Sequence, residues 1–325
     1  MIEFTLKHKQ PQAISFMSGL VTQRIVFMGT PEFAVASLDA LVKAGCNIVG
    51  VVTAPDKPAG RGMQLTQSAV KQYAVEHNLK VLQPVKLKDP DFINELASLQ
   101  ADLQVVVAFR MLPEIVWNMP LKGTINLHGS LLPQYRGAAP INWAVINGEK
   151  ETGVTTFKLQ HAIDTGDIMM QESFAIGENE TAGEVHDRMK LIGANLLVKT
   201  VQAIEEGTAT EIPQPAQTGD LKHAPKIFTE TCQINFNDTV AAVHNLVRGL
   251  APFPAAFTTL NNKKLKVFAV TKELTAHQQV NGSYETDGKS FLKFACADGY
   301  VYVQDIQLEG KKRMDIRSFL AGYHF

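Results

Sequence analysis

The segment INLHGSLLP, residues 125–133, places an amide and an imidazole two residues apart at the end of an apolar run. In a strand, residues two apart project from the same face, so Asn126 and His128 can direct their polar groups at one point. Asp164, in the later segment IDTGD, adds a carboxylate. These three groups fit acyl transfer without a covalent enzyme intermediate. The amide and a charged imidazole can stabilise an oxyanion, while the carboxylate holds the imidazole charged and helps to remove a proton.

Plainer interpretations of the same residues exist, and spacing alone favours them. An Asn and a His near a strand end are often loop or capping residues, and residues 164–167 can form a simple turn. A serine nucleophile at Ser130 is a poor hypothesis, because no G-x-S-x-G elbow surrounds it. The turn GTPEFA after the first strand lacks two glycines of the dinucleotide motif, which weakens a nicotinamide oxidoreductase hypothesis. A helix N-terminus there still favours anion or ligand binding.

The elements that position these groups alternate between strand and helix in the first part of the chain. RIVFMG, residues 24–29, predicts a strand, and the next segment predicts a helix with Thr30 as cap and Pro31 at its first position. The predicted strands are apolar on both of their faces and alternate with helices. This pattern indicates a parallel sheet covered by helices on both faces. The other predicted strands are 47–53 and 103–109, and the other predicted helices are 68–78, 89–98 and 181–206.

The pattern changes after residue 207. Residues 211–226 are rich in proline and polar residues, which is typical of a linker. A helix over 238–248 is followed by short alternating runs with turn signals at Asn281-Gly282 and Asp287-Gly288, which predicts four or five antiparallel strands in a small barrel of the oligonucleotide-binding (OB) type.

We therefore predict an α/β fold with two domains. A Rossmann-like, mostly parallel sheet with helices on both faces is followed by a small C-terminal OB-like β-barrel domain. The predicted boundaries are an N-terminal extension at 1–23, a catalytic domain at 24–207, a linker at 208–226 and the barrel at 227–325.

Composition agrees with this organisation and excludes several classes of protein. The chain has 325 residues, of which 45% are hydrophobic and 19% charged, as in soluble globular proteins. No run reaches the roughly 18 apolar residues of a membrane span. Cys46, Cys232 and Cys296 lie far apart, which predicts reduced thiols and a cytoplasmic location. Residues 1–23 lack the apolar core of a secretory signal, whereas a transit peptide stays an alternative because they contain a single acidic residue.

Beyond single motifs, the order of several segments resembles that of the methionyl-tRNA formyltransferases. The resemblance extends over most of residues 24–325, and SLLP followed by RGAAPI is its most specific part. The segments are FMGTPEFAVASL, TAPDKPAGRG, VVAFRMLP, INLHGSLLPQYRGAAPINWAVINGEKETGV, IDTGDI and GKKRM.

The resemblance implies a reaction and its residues. A formyl group would move from N10-formyltetrahydrofolate to the α-amino group of methionine on initiator tRNA, without a metal. Asn126, His128 and Asp164 would be catalytic, and Asp167 would have a structural or secondary role.

A folate site is implied at the loop VVAFRMLP, where backbone groups would meet the pterin edge. Arg110 stands where many family members have glycine, a departure that could alter folate contacts or the loop conformation. The predicted folate-binding residues are Phe109, Arg110, Met111, Leu112, Ser130, Leu131, Leu132 and Pro133.

The resemblance also implies a tRNA site. On charge alone TAPDKPAGRG is a solvated loop, whereas in the family this basic loop meets the acceptor end of the tRNA. The slight basic excess of residues 208–325 is weak evidence by itself. The predicted tRNA-binding residues are Lys57, Arg61, Lys222, Lys226, Lys263, Lys264, Lys266, Lys311, Lys312 and Arg313.

Two rival functions stay open. A folate-dependent formyltransferase acting on glycinamide ribonucleotide or an amino sugar would use the same Asn, His and Asp, but would need neither the basic loop nor the barrel. An RNA-binding module without activity is disfavoured by the intact trio. We expect a monomer without a membrane partner.

Overall fold

The computed structural model describes residues 22–59, 64–215 and 221–323. Arg61 and residues 1–21 of the predicted extension lie outside the described residues. The strands are β1 (Arg24–Gly29), β2 (Asn47–Val52), β3 (Lys57–Ala59), β4 (Gln64–Thr66), β5 (Val81–Leu82), β6 (Leu103–Val107), β7 (Thr124–His128), β8 (Arg136–Gly137), β9 (Glu151–Lys158), β10 (Ile168–Ala175), β11 (His223–Ala224), β12 (Ala256–Leu260), β13 (Lys263–Leu274), β14 (Tyr284–Thr286), β15 (Leu292–Cys296), β16 (Gly299–Leu308) and β17 (Met314–Asp315). The helices are α1 (Glu32–Lys43), α2 (Ala69–Glu76), α3 (Pro90–Ser98), α4 (Glu114–Trp117), α5 (Pro140–Ile146), α6 (Ala182–Glu206), α7 (Val240–Leu250) and α8 (Ile316–Ala321), with a 3-10 turn at Glu230–Cys232.

A seven-stranded sheet forms the centre of the N-terminal unit. Its order is β10-β9-β7-β6-β1-β2-β5. The five strands from β7 to β5 run parallel to their neighbours, whereas β9 and β10 are antiparallel at one edge. The predicted Rossmann-like, mostly parallel sheet is therefore confirmed, and its parallel strand ends converge on one edge, where such sheets bind ligands.

Helices cover both faces of this sheet because the parallel strands are apolar on both sides. In β1, Ile25 and Phe27 pack in the core that includes α1 and α6, while Val26 and Met28 pack in the core on the α3 side. All four side chains are fully buried. The prediction of two covered faces is confirmed.

The start of α1 differs from the prediction. Pro31, and not Thr30, is the N-cap, and it makes no side-chain cap hydrogen bond. Pro31 has an extended backbone, so the helix begins one residue later than predicted, and the amide of Ala34 donates to the carbonyl of Pro31 at 3.0 Å. The long helix over 181–206 is confirmed, with a capping box at Thr181 and a left-handed Gly207 at its end.

The strand predicted over 103–109 ends earlier, at Val107. Ala108 has a φ of 47°, which strand backbone does not adopt, so the chain turns at this point. The turn lies at the carboxyl end of β6 and carries Phe109 into the cleft described below.

The C-terminal unit is a six-stranded antiparallel sheet with α7 and α8 in its core, consistent with the predicted OB-like domain. Five strands follow the order β12-β13-β16-β15-β14, and β17 pairs with β16. The sequence prediction missed β12, which follows a proline-rich stretch. The turn from β12 to β13 is Asn261-Asn262, with both φ values positive, a combination that favours a tight hairpin.

The segment predicted as a linker contacts the N-terminal unit throughout its described part. Ile212 forms a bridge with Ile168 of β10, and β11 pairs with β8 in parallel. Residues 212–215 and 221–224 thus pack on the N-terminal unit beside β8 and β10, and this described part does not form an extended linker.

Over the described residues, every helix is too short or too polar to cross a membrane.

Cys46, Cys232 and Cys296 are buried free thiols, and burial raises the pKa of Cys46 to about 11, so this thiol is unreactive at neutral pH.

His244 on α7 is a buried imidazole at the contact between the two units. Its Nε2 lies 3.1 Å from Oδ1 of Asn179, and its Nδ1 has no partner among the described residues. Burial, together with the positive charges of Lys272 and Arg248, lowers the pKa of His244 to about 4. His244 is therefore neutral at pH 7.

We predict that His244 makes the fold sensitive to acid. The contribution of the neutral His244 to the free energy of unfolding is complete above the unfolded-state pKa of 6.5 and is lost as the pH falls towards 4. In that range the unfolded state binds a proton at this residue more readily than the folded state does. Between pH 7.5 and pH 5 the loss should be about 2 kcal/mol. Urea unfolding at both pH values should show it for the wild type and not for His244→Gln. The exposed His161 provides the control variant His161→Gln, and an equal loss in all three proteins would contradict the prediction.

Candidate active site

A cleft of about 540 Å³ lies at the carboxyl ends of β1, β6 and β7. Asn126, His128 and Asp164 all line it, together with Phe109 and the segment 137–142. A larger groove of about 840 Å³ runs between α1 and α6, but none of the three predicted catalytic residues lines it. Chemistry and not volume therefore identifies the cleft as the candidate site.

His128 is the last residue of β7 and is held in one orientation. Its side chain is 6% exposed, and Nε2 lies 2.9 Å from the backbone carbonyl of Tyr135. A carbonyl oxygen only accepts hydrogen bonds, so Nε2 carries a hydrogen in both charge states of the ring. Nδ1 is therefore the nitrogen that gains or loses the proton.

Asp164 faces that nitrogen. Its Oδ2 lies 3.9 Å from Nδ1 of His128 and accepts a hydrogen bond from the amide of Gly137 at 3.0 Å. The residue has a φ of 54°, in the left-handed region that aspartate tolerates better than most residues. The carboxylate is thus fixed close to the imidazole, at a separation that leaves them without a direct hydrogen bond.

Asn126 lies on the same face of β7 as His128, as the spacing of two residues predicts. Its side chain is half-buried and lines the cleft. Within the described ranges, no hydrogen bond from its amide to another protein group is formed, so the amide can donate to a ligand. Asp167, three residues beyond Asp164, contributes its backbone carbonyl, which accepts from the amide of Lys158.

The loop from Tyr135 to Gly137 connects the imidazole to the carboxylate, because its first carbonyl accepts from His128 and its last amide donates to Asp164. Gly137 has a φ of 126°, and an added Cβ would lie 2.5 Å from the carbonyl of Ala224. The loop also pairs with β11, and the amide of Tyr135 donates to the carbonyl of Lys222 at 2.6 Å. Strand β11 and the preceding Lys222 therefore fix the loop that positions His128 and Asp164.

Gln214 braces the same region from the other side. Its Nε2 donates to the carbonyls of Asp164 and Gly166 at 2.9 and 2.8 Å, and its Oε1 accepts from the guanidinium of Arg136. Sequence reasoning missed Gln214 and Tyr135. Gly137 alone left a signal, since a glycine after Arg136 suits a backbone that other residues rarely adopt.

A polar network anchors the Tyr135 side chain behind the site. Its hydroxyl donates to Oε1 of Glu149 at 2.5 Å, and Nζ of Lys222 donates to the same oxygen at 2.6 Å. Burial raises the pKa of Glu149, but the hydrogen bonds from Lys222 and Tyr135 outweigh it and bring the pKa below its usual value. Lys222, predicted to contact tRNA, is therefore already paired with a carboxylate.

The residues predicted to bind folate do not all meet at the cleft. Phe109 lines it, whereas Met111 and Leu112 line a separate depression beside α4. Arg110 points its guanidinium at the carbonyls of Pro84 and Val85, so it braces the loop.

The turn that contains Ser130, Leu131, Leu132 and Pro133 lies behind His128. Ser130 is fully buried and donates to the carbonyl of Gln134 at 2.6 Å, and the amide of Leu132 donates to Thr155 at 3.1 Å. The structure brings none of these four residues to the lining of the cleft.

The basic residues predicted to bind tRNA are spread over the surface. Arg313 is paired with Asp305 at 2.5 Å, and its guanidinium lies over the ring of Phe268. Three lysines, Lys226, Lys264 and Lys266, share one groove with three residues of the cleft wall. The exposed side chains elsewhere are Lys57, Lys263, Lys311 and Lys312.

Three potential metal ligands lie beside the cleft at the start of α1 and α6. They are Glu32, His186 and Asp187, with ligand atoms within 4.8 Å of one another. Nζ of Lys190 lies 2.7 Å from Glu32 and 3.0 Å from Asp187, so a cation already pairs with both carboxylates. This pairing disfavours a cation site there.

Comparisons with known proteins agree with this geometry. Residues 23–201 match the formyl transferase family, and residues 226–324 match the formyl transferase C-terminal domain. The chain is 54% identical to a methionyl-tRNA formyltransferase of Bacteroides fragilis over 93% of its own length and 95% of the relative's. It is 47% identical to a methionyl-tRNA formyltransferase of Flavobacterium johnsoniae, with 93% and 96% covered.

A solved structure supports the fold. WlaRD, a sugar 3N-formyl transferase determined in the presence of dTDP and 5-N-formyl-THF, superposes with a TM-score of 0.64 at 22% identity, covering 89% of this chain and 99% of that one. Extensive identity to the relatives, two matching domain families and the trio in one cleft lead to one conclusion. The chain belongs to the formyl transferase family and, within it, to the methionyl-tRNA formyltransferases.

Proposed function

We propose that the chain transfers the formyl group of N10-formyltetrahydrofolate to the α-amino group of methionyl-tRNA, with the initiator tRNA as its acceptor. The observation that carries the proposal is the meeting of Asn126, His128 and Asp164 in one cleft. This cleft belongs to a chain 54% identical to a methionyl-tRNA formyltransferase.

In this reaction the amine attacks the formyl carbon, and the carbonyl oxygen becomes an oxyanion. The unpaired amide of Asn126 and the imidazolium of His128 would stabilise that charge. Both groups are held by β7 and so need little reorganisation as the charge develops. A fixed donor that is shielded from water, as the buried His128 is, is more effective than the same donor in water.

Asp164 has two proposed roles: it stabilises the charged form of His128, and it accepts a proton from the attacking amine. Its carboxylate lies 3.9 Å from Nδ1 of His128 and stabilises the positive charge there. The new C–N bond forms in the addition step, and the bond to the donor nitrogen breaks when the oxyanion returns to a carbonyl. The attacking amine loses one proton, for which Asp164 is the nearby base, and the departing nitrogen gains one. The transfer needs no oxidant or reductant.

The folate is a co-substrate that supplies the formyl group, and the cleft fits a molecule of its class. A volume of about 540 Å³ lies in the usual range for small-ligand sites. Phe109 offers an aromatic surface beside Asn126, and the exposed turn at Ala108 offers backbone polar groups.

We predict that a non-reactive folate analogue protects residues 109–112 from hydrogen exchange. Phe109 should contact the analogue, and Arg110 should transmit the restraint because its guanidinium binds the carbonyls of Pro84 and Val85. Exchange with and without the analogue measures this effect, and Arg110→Gly should retain activity with a smaller protected region. Protection confined to the turn after β1 would contradict this prediction and would place the folate site at that turn.

The basic residues of the barrel would contact phosphates of the tRNA, and the loop that contains Arg61 would approach its acceptor end. We further propose a monomer that acts in the cytoplasm.

One assay tests the function. The protein is incubated with formyltetrahydrofolate and either methionyl-tRNA, glycinamide ribonucleotide or an amino sugar nucleotide, and formyl incorporation is followed. We expect transfer to methionyl-tRNA alone. Transfer to only one of the small acceptors would favour the rival formyltransferase function and overturn the proposal.

A further inference from the structure

A second groove, of about 500 Å³, opens from the wall of the cleft. Ala138, Ala139 and Asn142 line both spaces, so the groove and the cleft are continuous. The groove is bounded on its far side by the barrel. We call it the aromatic groove and define it by six residues that line it: Lys226, Phe228, Phe253, Phe257, Lys264 and Lys266.

Two of its aromatic rings are exposed to an unusual extent. Phe253 is 81% exposed and Phe228 is 57% exposed, although exposing a phenyl ring to water is unfavourable. Neither ring contributes much to a core. Both rings line a groove that is continuous with the cleft, which indicates a ligand that covers aromatic faces.

The turn that carries Phe253 is fixed before any ligand arrives. The amide of Gly183 on α6 donates to the carbonyl of Ala251 at 3.0 Å, and the amide of Ala255 donates to the carbonyl of Leu250 at 2.9 Å. A Cβ on Gly183 would lie 2.5 Å from Pro252, so the turn packs closely on α6. The backbone that presents Phe253 is therefore pre-organised, which reduces the entropy lost on binding.

Positive charge accompanies the rings. Nζ of Lys264 lies 3.9 Å from the ring centroid of Phe257, and Nζ of Lys226 lies 5.5 Å from that of Phe228. Over the described ranges, neither these two lysines nor Lys266 forms an ion pair with a carboxylate, in contrast to Lys222, Lys272 and Lys293. The groove thus offers ammonium groups to an anionic ligand.

Exposed aromatic rings beside unpaired lysines are the recognition elements for single-stranded nucleic acid, in which bases stack and phosphates pair with cations. We propose that the aromatic groove binds the unpaired 3′ end of the tRNA, with Phe228 and Phe253 stacked on its bases. The inference rests on the proposed function, because the aminoacyl group must reach Asn126 and His128 from this end. It adds a subsite that sets the path of the last nucleotides.

The test uses the full chain and an RNA minihelix whose unpaired 3′ end carries 2-aminopurine, a base that loses fluorescence when it stacks. We expect the wild type to quench the probe. Phe253→Ala should remove most of the quenching and weaken binding roughly 5- to 150-fold, the effect of one lost base stack. Phe228→Ala should act in the same direction. Phe253→Trp should restore quenching, whereas Phe253→Leu should not, because leucine is apolar but has no ring.

Two controls separate stacking from general damage. Leu274→Ala removes another exposed apolar side chain, 74% exposed on the barrel, and should leave quenching unchanged. A blunt-ended hairpin of the same stem should bind the wild type and the phenylalanine variants equally. Lys264→Gln should reduce the slope of log affinity against log salt by about 0.7, the value for one phosphate contact on a single strand.

The outcomes distinguish this inference from the function itself. If the wild type formylates methionyl-tRNA but the phenylalanine variants quench the probe normally, the subsite is wrong and the function stands. Normal quenching by Phe253→Leu, or equal weakening of the blunt hairpin, also overturns the subsite. If the wild type forms no formylmethionyl-tRNA, the proposed function fails. If the groove instead bound a protein, the groove variants would bind and quench the RNA as the wild type does. That result would also overturn the inference.

Discussion

His128→Ala is expected to lower the turnover number for methionyl-tRNA formylation by about 10²- to 10³-fold, the cost of one lost oxyanion donor. The imidazolium would act mainly on the charge that develops in the transition state, so KM should change less than kcat. Asn126→Ala should give a similar loss for the same reason. Steady-state kinetics with saturating folate and a varied concentration of methionyl-tRNA measure both parameters.

His128→Ala also removes a buried hydrogen bond to the carbonyl of Tyr135, so its effect must be separated from a change in structure. His128→Gln provides the comparison, since its amide can donate to that carbonyl but cannot carry a positive charge. We expect His128→Gln to fold normally and to stay as slow as the alanine variant. Near-normal turnover in any of the three variants would contradict the catalytic role proposed for the residue that the variant replaces.

Much of the site's location follows from local rules of backbone geometry. Asn126 and His128 share a face of β7 because strand side chains alternate, and this could be predicted from their spacing alone. The position of Asp164, far along the chain from His128, was implied only by resemblance to a family. No local rule relates a turn after β9 to the end of β7.

The supporting contacts could not be predicted, and the reason is physical. Tyr135 holds His128 through a backbone carbonyl, and Lys222 holds Tyr135 through another. Every residue except proline presents the same backbone groups, so such contacts leave no mark in the sequence. Gln214 lies in a segment whose proline content indicated a linker, and only the fold reveals that its amide reaches the carbonyl of Asp164.

The folate and tRNA residues illustrate a different limit. A motif identifies a stretch of chain, but not which side chains of that stretch point at a ligand. Ser130 belongs to the most specific motif, yet it is buried and donates to Gln134. Phe253 was not singled out from the sequence, because exposure at a turn depends on what packs around it.

Asp164→Asn is expected to reduce turnover as strongly as loss of His128, on the order of 10²- to 10³-fold. The carboxylate lies 3.9 Å from Nδ1 of His128 with both side chains largely buried, so its negative charge favours the positive charge that the ring carries in the transition state. Asparagine tolerates the left-handed backbone at this position, and its carbonyl oxygen can still accept from the amide of Gly137. The substitution therefore removes the charge and preserves the shape.

The matched control for this variant lies three residues away. Asp167→Asn makes the same chemical change in the same segment, but Asp167 contributes to the structure through its backbone carbonyl, which the substitution leaves in place. We expect its turnover to stay within about twofold of the wild type, since the half-buried Asp167 side chain forms no hydrogen bond or ion pair with the described residues. Single-turnover formylation across a pH series compares the two variants. If Asp164→Asn and Asp167→Asn lost activity equally, or if the pH–rate profile of Asp164→Asn superimposed on that of the wild type, the charge of Asp164 would not act through His128. The carboxylate would then serve only to hold the amide of Gly137, a task that asparagine performs as well.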